Sequence, residues 1–461
     1  MTSREKLHLP EYRKITLPNG MTLLLMEQHK LPLVSFEAIL RCGSTADAPG
    51  AEGTASVTAS LLRHGTKTHT ADRYSDVLDF IGGIFHAGAS ADYTSISAEF
   101  MKKDLATGLD LLAEPLLEPV FPEEEITKVL RQRMDGIRAA KDKAQHVIAA
   151  YFNAYLFQGH PYGRAVGGDE ESLTHIQRDS IAGFYRDQYD PANVILAAVG
   201  DFESSEMERL LGEKFGAWPA HKTAPAVNVD LAPSQKRRLL LVDKPDSTQT
   251  YFRIGNVGIA RTDPDYVPLM LVNTLFGGRF TSLINSALRI ESGLTYGAAS
   301  TFDVRRSAGP FYIASYTPNA TTSRALDVAV EVLKQFHRNG ISEQQLASAK
   351  SYLKGQFPLR METSDQLASL IAHLESYRLE RSEIDELYGR IDATSVDDAI
   401  RAIERHYPED DLVFVLIGKA GEIGEVASRY AARMNVCSIS DPGFAPRTVV
   451  DAAPATGPKL R

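Results

Sequence analysis

Among 461 residues there are two cysteines, Cys42 and Cys437, and a single tryptophan. Two thiols so few and so far apart do not make a Cys-based zinc site. They fit a reducing compartment without excluding a periplasmic one. No apolar run approaches ~18 residues, so no membrane insertion is expected. There is no basic tract, and the net charge of −9 argues against nucleic acid as a partner. No Gly-x-x-x-x-Gly-Lys pattern is present, so no phosphate loop is implied. Neither a Ser/His/Asp nor a Cys/His signature supports an independent enzyme with its own nucleophile. The 12 histidines are equally unhelpful. No two stand three or four apart, the spacings at which two ligands share a helix face. His64 and His69 are five apart, straddle Gly65 and read as an exposed loop pair.

What is present is ordinary for a globular chain. Hydrophobic content of 43% and charged content of 24% suit a soluble protein of two to four domains. The start, Met1 to His8, lacks the apolar core of a signal peptide. That implies the cytoplasm if Met1 is the natural start, and the periplasm if a signal peptide was removed.

The order of elements repeats. The first half, 1–215, opens with two strand-like runs around Pro18-Asn19-Gly20 and a strand at 33–40. Helices follow near 51–63 and 71–81, then a strand at 93–100, helices near 103–116 and 122–140, and an apolar strand from Val194. Acidic residues in the first turn of 122–140 suit the helix dipole. An Ala-, Pro- and Lys-rich linker is read at 216–236. The second half, 237–440, repeats the order. It has strands at 239–242 and 249–254, helices near 264–276 and 280–290, and strands at 294–303 and 309–315. Helices near 322–338 and 342–355 precede a last strand from Leu412. A tail, 441–461, is peripheral. An α+β unit written twice predicts two homologous lobes.

Gly53-Thr54-Ala55-Ser56-Val57-Thr58-Ala59-Ser60-Leu61-Leu62-Arg63-His64-Gly65-Thr66 resembles the zinc-binding helix of pitrilysin/insulinase-type metallopeptidases, the inverzincins. That family writes His-x-x-Glu-His, a few apolar residues, then Gly-Thr. Aligned on Gly65-Thr66, the histidine positions hold Ser56 and Ser60, and the glutamate position holds Ala59. The third-ligand position falls at Asp135 or Gly136. Serine is a poor zinc ligand, and alanine cannot act as a base. The metal assignment for this chain is therefore none.

Further segments keep the resemblance through roughly 12–420. His160-Pro161-Tyr162-Gly163 is similar to the segment after the third-ligand helix, with His160 as a turn residue. Phe184 to Asn193 and Leu275 to Leu283 are similar to family segments as well. The resemblance implies a LuxS/pitrilysin-like fold, with two lobes of largely antiparallel sheet and helices facing each other across a chamber. It implies that strand 93–100 is the edge that pairs with extended peptides. It also implies that Arg289 and Tyr296 are the second lobe's "R/Y pair", which grips a substrate carbonyl. Gly277 and Gly278 are candidates for close approach of a peptide backbone, or equally for a helix-to-helix turn. Gln249 is read as structural.

These implications describe a noncatalytic, R/Y-motif subunit resembling the alpha-type partner of bacterial or mitochondrial processing peptidases. It would bind peptides, and zinc would reside in a sister subunit carrying His-x-x-Glu-His. A homodimer of the chain alone stays open. The competing expectation is a proteolytically inactive structural or peptide-binding protein of the same fold.

Overall fold

A computed structural model describes residues 7–221 and 237–446. Most of the expected linker and most of the expected tail lie outside the described residues. The fold is α+β, with two six-stranded sheets packed with helices. The strands of the first sheet are β1 (Arg13–Thr16), β2 (Thr22–Glu27), β3 (Leu33–Leu40), β4 (Ile84–Ala89), β5 (Thr94–Met101) and β6 (Val194–Gly200). Those of the second are β7 (Arg238–Asp243), β8 (Gln249–Val257), β9 (Ala298–Phe302), β10 (Pro310–Pro318), β11 (Val413–Gly418) and β12 (Arg433–Ser438).

The spatial orders are β1-β2-β6-β3-β5-β4 and β12-β7-β11-β8-β10-β9. The repeat is therefore topological. In each sheet the last apolar strand of its half inserts beside an early strand in parallel, β6 on β2 and β11 on β7. Its other neighbour is antiparallel, β3 or β8. Every residue of β6 and β11 is buried. A strand covered on both faces needs continuous apolar sequence, which is what Val194–Gly200 and Val413–Gly418 provide. At the Pro18-Asn19-Gly20 turn, Gly20 takes φ +90 and closes a hydrogen bond to the Leu17 carbonyl at 2.9 Å.

One expectation is corrected. β5 lies between β3 and β4, so strand 93–100 is an interior strand, not an edge. The edge on that side of the sheet is β4, and β1 is the other edge. It follows Gly82-Gly83 and reads Ile-Phe-His-Ala-Gly-Ala, too small and mixed to show a strand alternation.

The chain forms two compact units, and each draws on both halves of the sequence. One comprises Met1–Gly136, Arg164–Asn228 and Gln356–Glu386; the other comprises Ile137–Gly163, Val229–Gly355 and Leu387–Arg461. The units thus differ from a simple cut at 216–236. In the first, the helix Ser364–Ser376 lies on β3 and β6. Its Leu367, Ala368, Ile371 and Ala372 form one helical stripe that packs on Leu24, Ile39, Ile195 and Ala197. In the second, the helix Ala144–Leu156 lies on β8 and β11. Val147, Ile148, Tyr151, Phe152 and Tyr155 face the core there. Arg238 of β7 donates to the carbonyls of Tyr155 and Leu156 at 3.0 and 3.1 Å, capping that helix's C-terminus. Among the described residues no helix is long and apolar enough to cross a membrane.

Candidate functional site

The serine helix, Thr54–Leu61, begins at Gly53 with φ 100. Asp47 accepts from the Gly53 and Ala55 amides, both at 2.8 Å, so a carboxyl satisfies the first turn. Burial pushes the Asp47 carboxyl up to about 7 despite those two hydrogen bonds. Ala59 is buried. Ser56 and Ser60, four residues apart, share a partly open face.

That face is filled by Arg133, from the helix Glu123–Lys141. Its Nη1 donates to Ser56 Oγ at 3.0 Å, and its Nη2 donates to the Ser56 carbonyl at 2.9 Å and to Ser60 Oγ at 2.5 Å. Burial lowers the guanidinium's pKa, and no carboxylate opposes the shift. An arginine keeps its charge even so. Arg133 stands two and three residues before Asp135 and Gly136. Asp135 is exposed, and a Cβ at Gly136 would meet open space. The hydroxyls of Ser56 and Ser60 are thus tied to a fixed cation. A zinc ion between them would meet neutral oxygens and a positive charge, so zinc does not fit these residues.

The other histidines do not rescue a metal site here. His64 Nδ1 lies 2.6 Å from Glu125, and His69 Nδ1 lies 2.7 Å from Glu114, so the pair diverges to different carboxylates. His160 Nδ1 accepts from the Tyr162 amide at 3.0 Å, in a structural turn. Among the described residues, Asp263, Asp265 and His406 bring ligand atoms within 4.8 Å of one another. Asp265 there is already held by Arg405 at 2.7 Å and His406 at 2.8 Å.

In the second unit a cavity of about 650 Å³ opens on the β8–β10–β9 face under the helix Ala144–Leu156. It gathers Gly277, Gly278 and Arg289 of the expected site. Arg289 projects from a widened turn, Ser286–Glu291, in which the Ser292 amide bonds back to Ala287 at 3.2 Å. Such π-type turns break helix register and re-aim side chains. Here the Arg289 guanidinium lies 4.7 Å from the Phe280 ring centre. Tyr296 is not among the lining residues; it is 78% exposed. Gly277 has a packing reason of its own. A Cβ there would fall 2.3 Å from the Ser300 amide nitrogen, because β9 passes directly over it. Gln249 accepts from Tyr251 Oη at 3.2 Å.

Sequence reasoning missed four further groups in this cavity. Arg253 of β8 lies 3.9 Å from the Tyr312 ring centre, and burial lowers its pKa. Arg279 donates to Ser348 Oγ at 3.0 Å. Tyr251 and Tyr316, register partners on β8 and β10, stack at 5.2 Å. The alternation Tyr251, Arg253 along a half-buried strand was the available signal.

The comparisons agree with this architecture. Residues 24–170 match the family described as insulinase, peptidase family M16, and residues 175–353 match the peptidase M16 inactive domain. The chain belongs to peptidase family M16. An uncharacterized zinc protease of Streptomyces coelicolor is 25% identical over 400 residues, covering 85% of this chain and 86% of that protein. A probable mitochondrial-processing peptidase subunit beta of Arabidopsis thaliana is 22% identical, covering 89% of this chain and 79% of that one. The crystal structure of a peptidase M16 inactive domain from Pseudomonas fluorescens has a TM-score of 0.84 at 25% identity. It covers 89% of this chain and 98% of that chain.

Proposed function

We propose that this chain is the noncatalytic, peptide-binding member of a zinc-peptidase pair, whose sister subunit carries His-x-x-Glu-His. The observation that carries the reading is Arg133 lying across Ser56 and Ser60 at 2.5–3.0 Å, where the family keeps its metal ligands. The partner's metal would supply an activated water. Arg289, fixed by its turn and by Phe280, would hold a substrate carbonyl, with Tyr296 as a neutral donor beside it. Gly277 and Gly278 leave that wall of the cavity without side chains.

A second reading, peptide binding without hydrolysis, draws support from Tyr296. It stands outside the cavity that contains Arg289. One experiment separates the two. Zinc content and peptide hydrolysis are measured on this chain alone and after mixing with its His-x-x-Glu-His sister. Hydrolysis confined to the mixture is expected. A stable mixture without hydrolysis favours the second reading. Zinc-dependent hydrolysis by this chain alone overturns both.

A further inference from the structure

The second unit's cavity has an unusual charge inventory. Its lining includes Arg253, Arg279 and Arg289 and no Asp, Glu, Lys or His. The chain as a whole is acidic, with 59 Asp and Glu against 50 Lys and Arg. Carboxylates for neutralising three arginines were therefore plentiful. Elsewhere arginines use them: Arg381 holds Asp385 and Arg305 holds Asp303, both at 2.6 Å.

The cavity arginines make no ion pair among the described residues. The Nε atoms of Arg253 and Arg279 are buried with no hydrogen-bond partner. A buried donor left without a partner carries a desolvation cost. Asp303, an acid whose field reaches Arg253, is already held by Arg305. The remaining wall is aromatic and neutral, with Tyr251, Tyr316, Tyr352 and Phe280. A polar hollow that shares Gln145 and Tyr251 with this cavity carries Lys143 and Lys244 beside Asp142 and Asp246. The uncompensated positive charge is thus local to the arginine cavity.

We infer that this cavity selects peptides by their carboxylates, an Asp or Glu side chain or a chain terminus being received between Arg253, Arg279 and Arg289. A guanidinium fork donates two parallel hydrogen bonds to a carboxylate, and a bound acid would neutralise the positive charge that the lining leaves without a carboxylate. Aromatic walls hold the rest of the peptide without a charge preference. The inference rests on the peptide-binding reading above and adds the ligand class to it.

The test is fluorescence anisotropy on the full chain, without the sister subunit. The probes are labelled peptides of one length: a Glu-containing peptide, its Gln counterpart and its Lys counterpart, all C-terminally amidated. A Gln peptide with a free C-terminus separates terminal from side-chain carboxylates. The Glu peptide is expected to bind about tenfold tighter than the Gln peptide for each carboxylate received. That preference should shrink as salt is raised. Arg253→Gln and Arg279→Gln should each reduce that preference about threefold and leave the amidated Gln peptide's affinity unchanged. That unchanged affinity also certifies that the variant is folded. Equal affinity for the Glu peptide, the amidated Gln peptide and the free-terminus Gln peptide, or tighter binding of the Lys peptide, overturns the charge selection while leaving peptide binding intact. Failure of every peptide to bind overturns the peptide-binding reading, and the selection with it.

Discussion

Arg133 grips Ser56 twice, through the hydroxyl at 3.0 Å and the backbone carbonyl at 2.9 Å. The two residues belong to different helices, Glu123–Lys141 and Thr54–Leu61. A metal with ligands on both would cross-link them. The guanidinium does the same through hydrogen bonds, adding Ser60 as its third contact. It does so without exchange and without an open coordination position for water. Ser56, Ser60 and Arg133 thus satisfy one another across the two helices.

Removing the clip should loosen the first unit. Arg133→Ala is expected to cost about 1–3 kcal/mol, because three hydrogen bonds from a charged donor disappear and the Ser56 carbonyl loses a partner. Arg133→Lys should recover only part of it, since an ammonium cannot span both hydroxyls and the carbonyl as a planar fork does. Urea unfolding of the three proteins measures this. An unchanged midpoint for Arg133→Ala means that the contacts carry no net stability.

Rebuilding the metal site should require removing the arginine. Ser56→His and Ser60→His, with either Asp135→Glu or Gly136→Glu, give the ligand types the resemblance implies, and Ala59→Glu gives its base. With Arg133 retained, the protein is expected to come through dialysis free of zinc. With Arg133→Ala added, it should retain stoichiometric zinc by elemental analysis. Retention in the presence of Arg133 means that the guanidinium moves aside and is no barrier.

Ser56 and Ser60 stand out in the sequence because the Gly65-Thr66 anchor marks the positions where the resemblance implies ligands. Arg133 was also visible in principle. It interrupts the inward stripe Ile126, Val129, Leu130, Met134, Ile137, where a charge has no reason to sit unless something receives it. What received it lay 77 residues away, beyond any local pattern. The edge strand β4 was missed because its strand state comes from pairing with β5, not from its own residues. The helices Ala144–Leu156 and Ser364–Ser376 show the same limit. An amphipathic face announces burial but does not name the sheet that buries it. Arg253 and Arg279 gained meaning only when β8 and the turn after Phe276 met at one cavity.

A buried carboxyl in the first sheet sets a pH dependence. Glu37 of β3 is 8% exposed, and burial, with some help from Asp365, pushes its carboxyl up to about 8. Its unfolded pKa is about 4.3. Between those values the unfolded chain ionises Glu37 while the native chain keeps the proton. The native state then binds more protons, so stability falls as pH rises through this window and levels off above about pH 8. Glu37→Gln should be close to neutral near the unfolded pKa. It should stabilise by on the order of a few kcal/mol above the folded one. Urea unfolding across that range checks the sign. A difference that stays flat with pH places the Glu37 carboxyl in water instead.

The functional assignment of Arg289 and Tyr296 is tested by rate rather than by stability. Arg289 lines the cavity and packs on Phe280, whereas Tyr296 is largely exposed, so neither is a core residue. Arg289→Ala and Tyr296→Phe should therefore leave folding and assembly with the sister subunit intact. If each supplies a donor to the oxygen on which charge develops, each change should lower kcat/KM of the assembled pair. Preorganised donors of this kind are worth about 100-fold or more when lost. Assembly is followed by size-exclusion chromatography, and rate by hydrolysis of a quenched fluorescent peptide. Because Tyr296 lies outside the cavity, the two variants separate two geometries. A loss in both means that substrate draws Tyr296 toward Arg289. A loss in Arg289→Ala alone confines substrate contact to the cavity. Full rates from both variants end the assigned role and leave the cavity as a binding site without a part in hydrolysis.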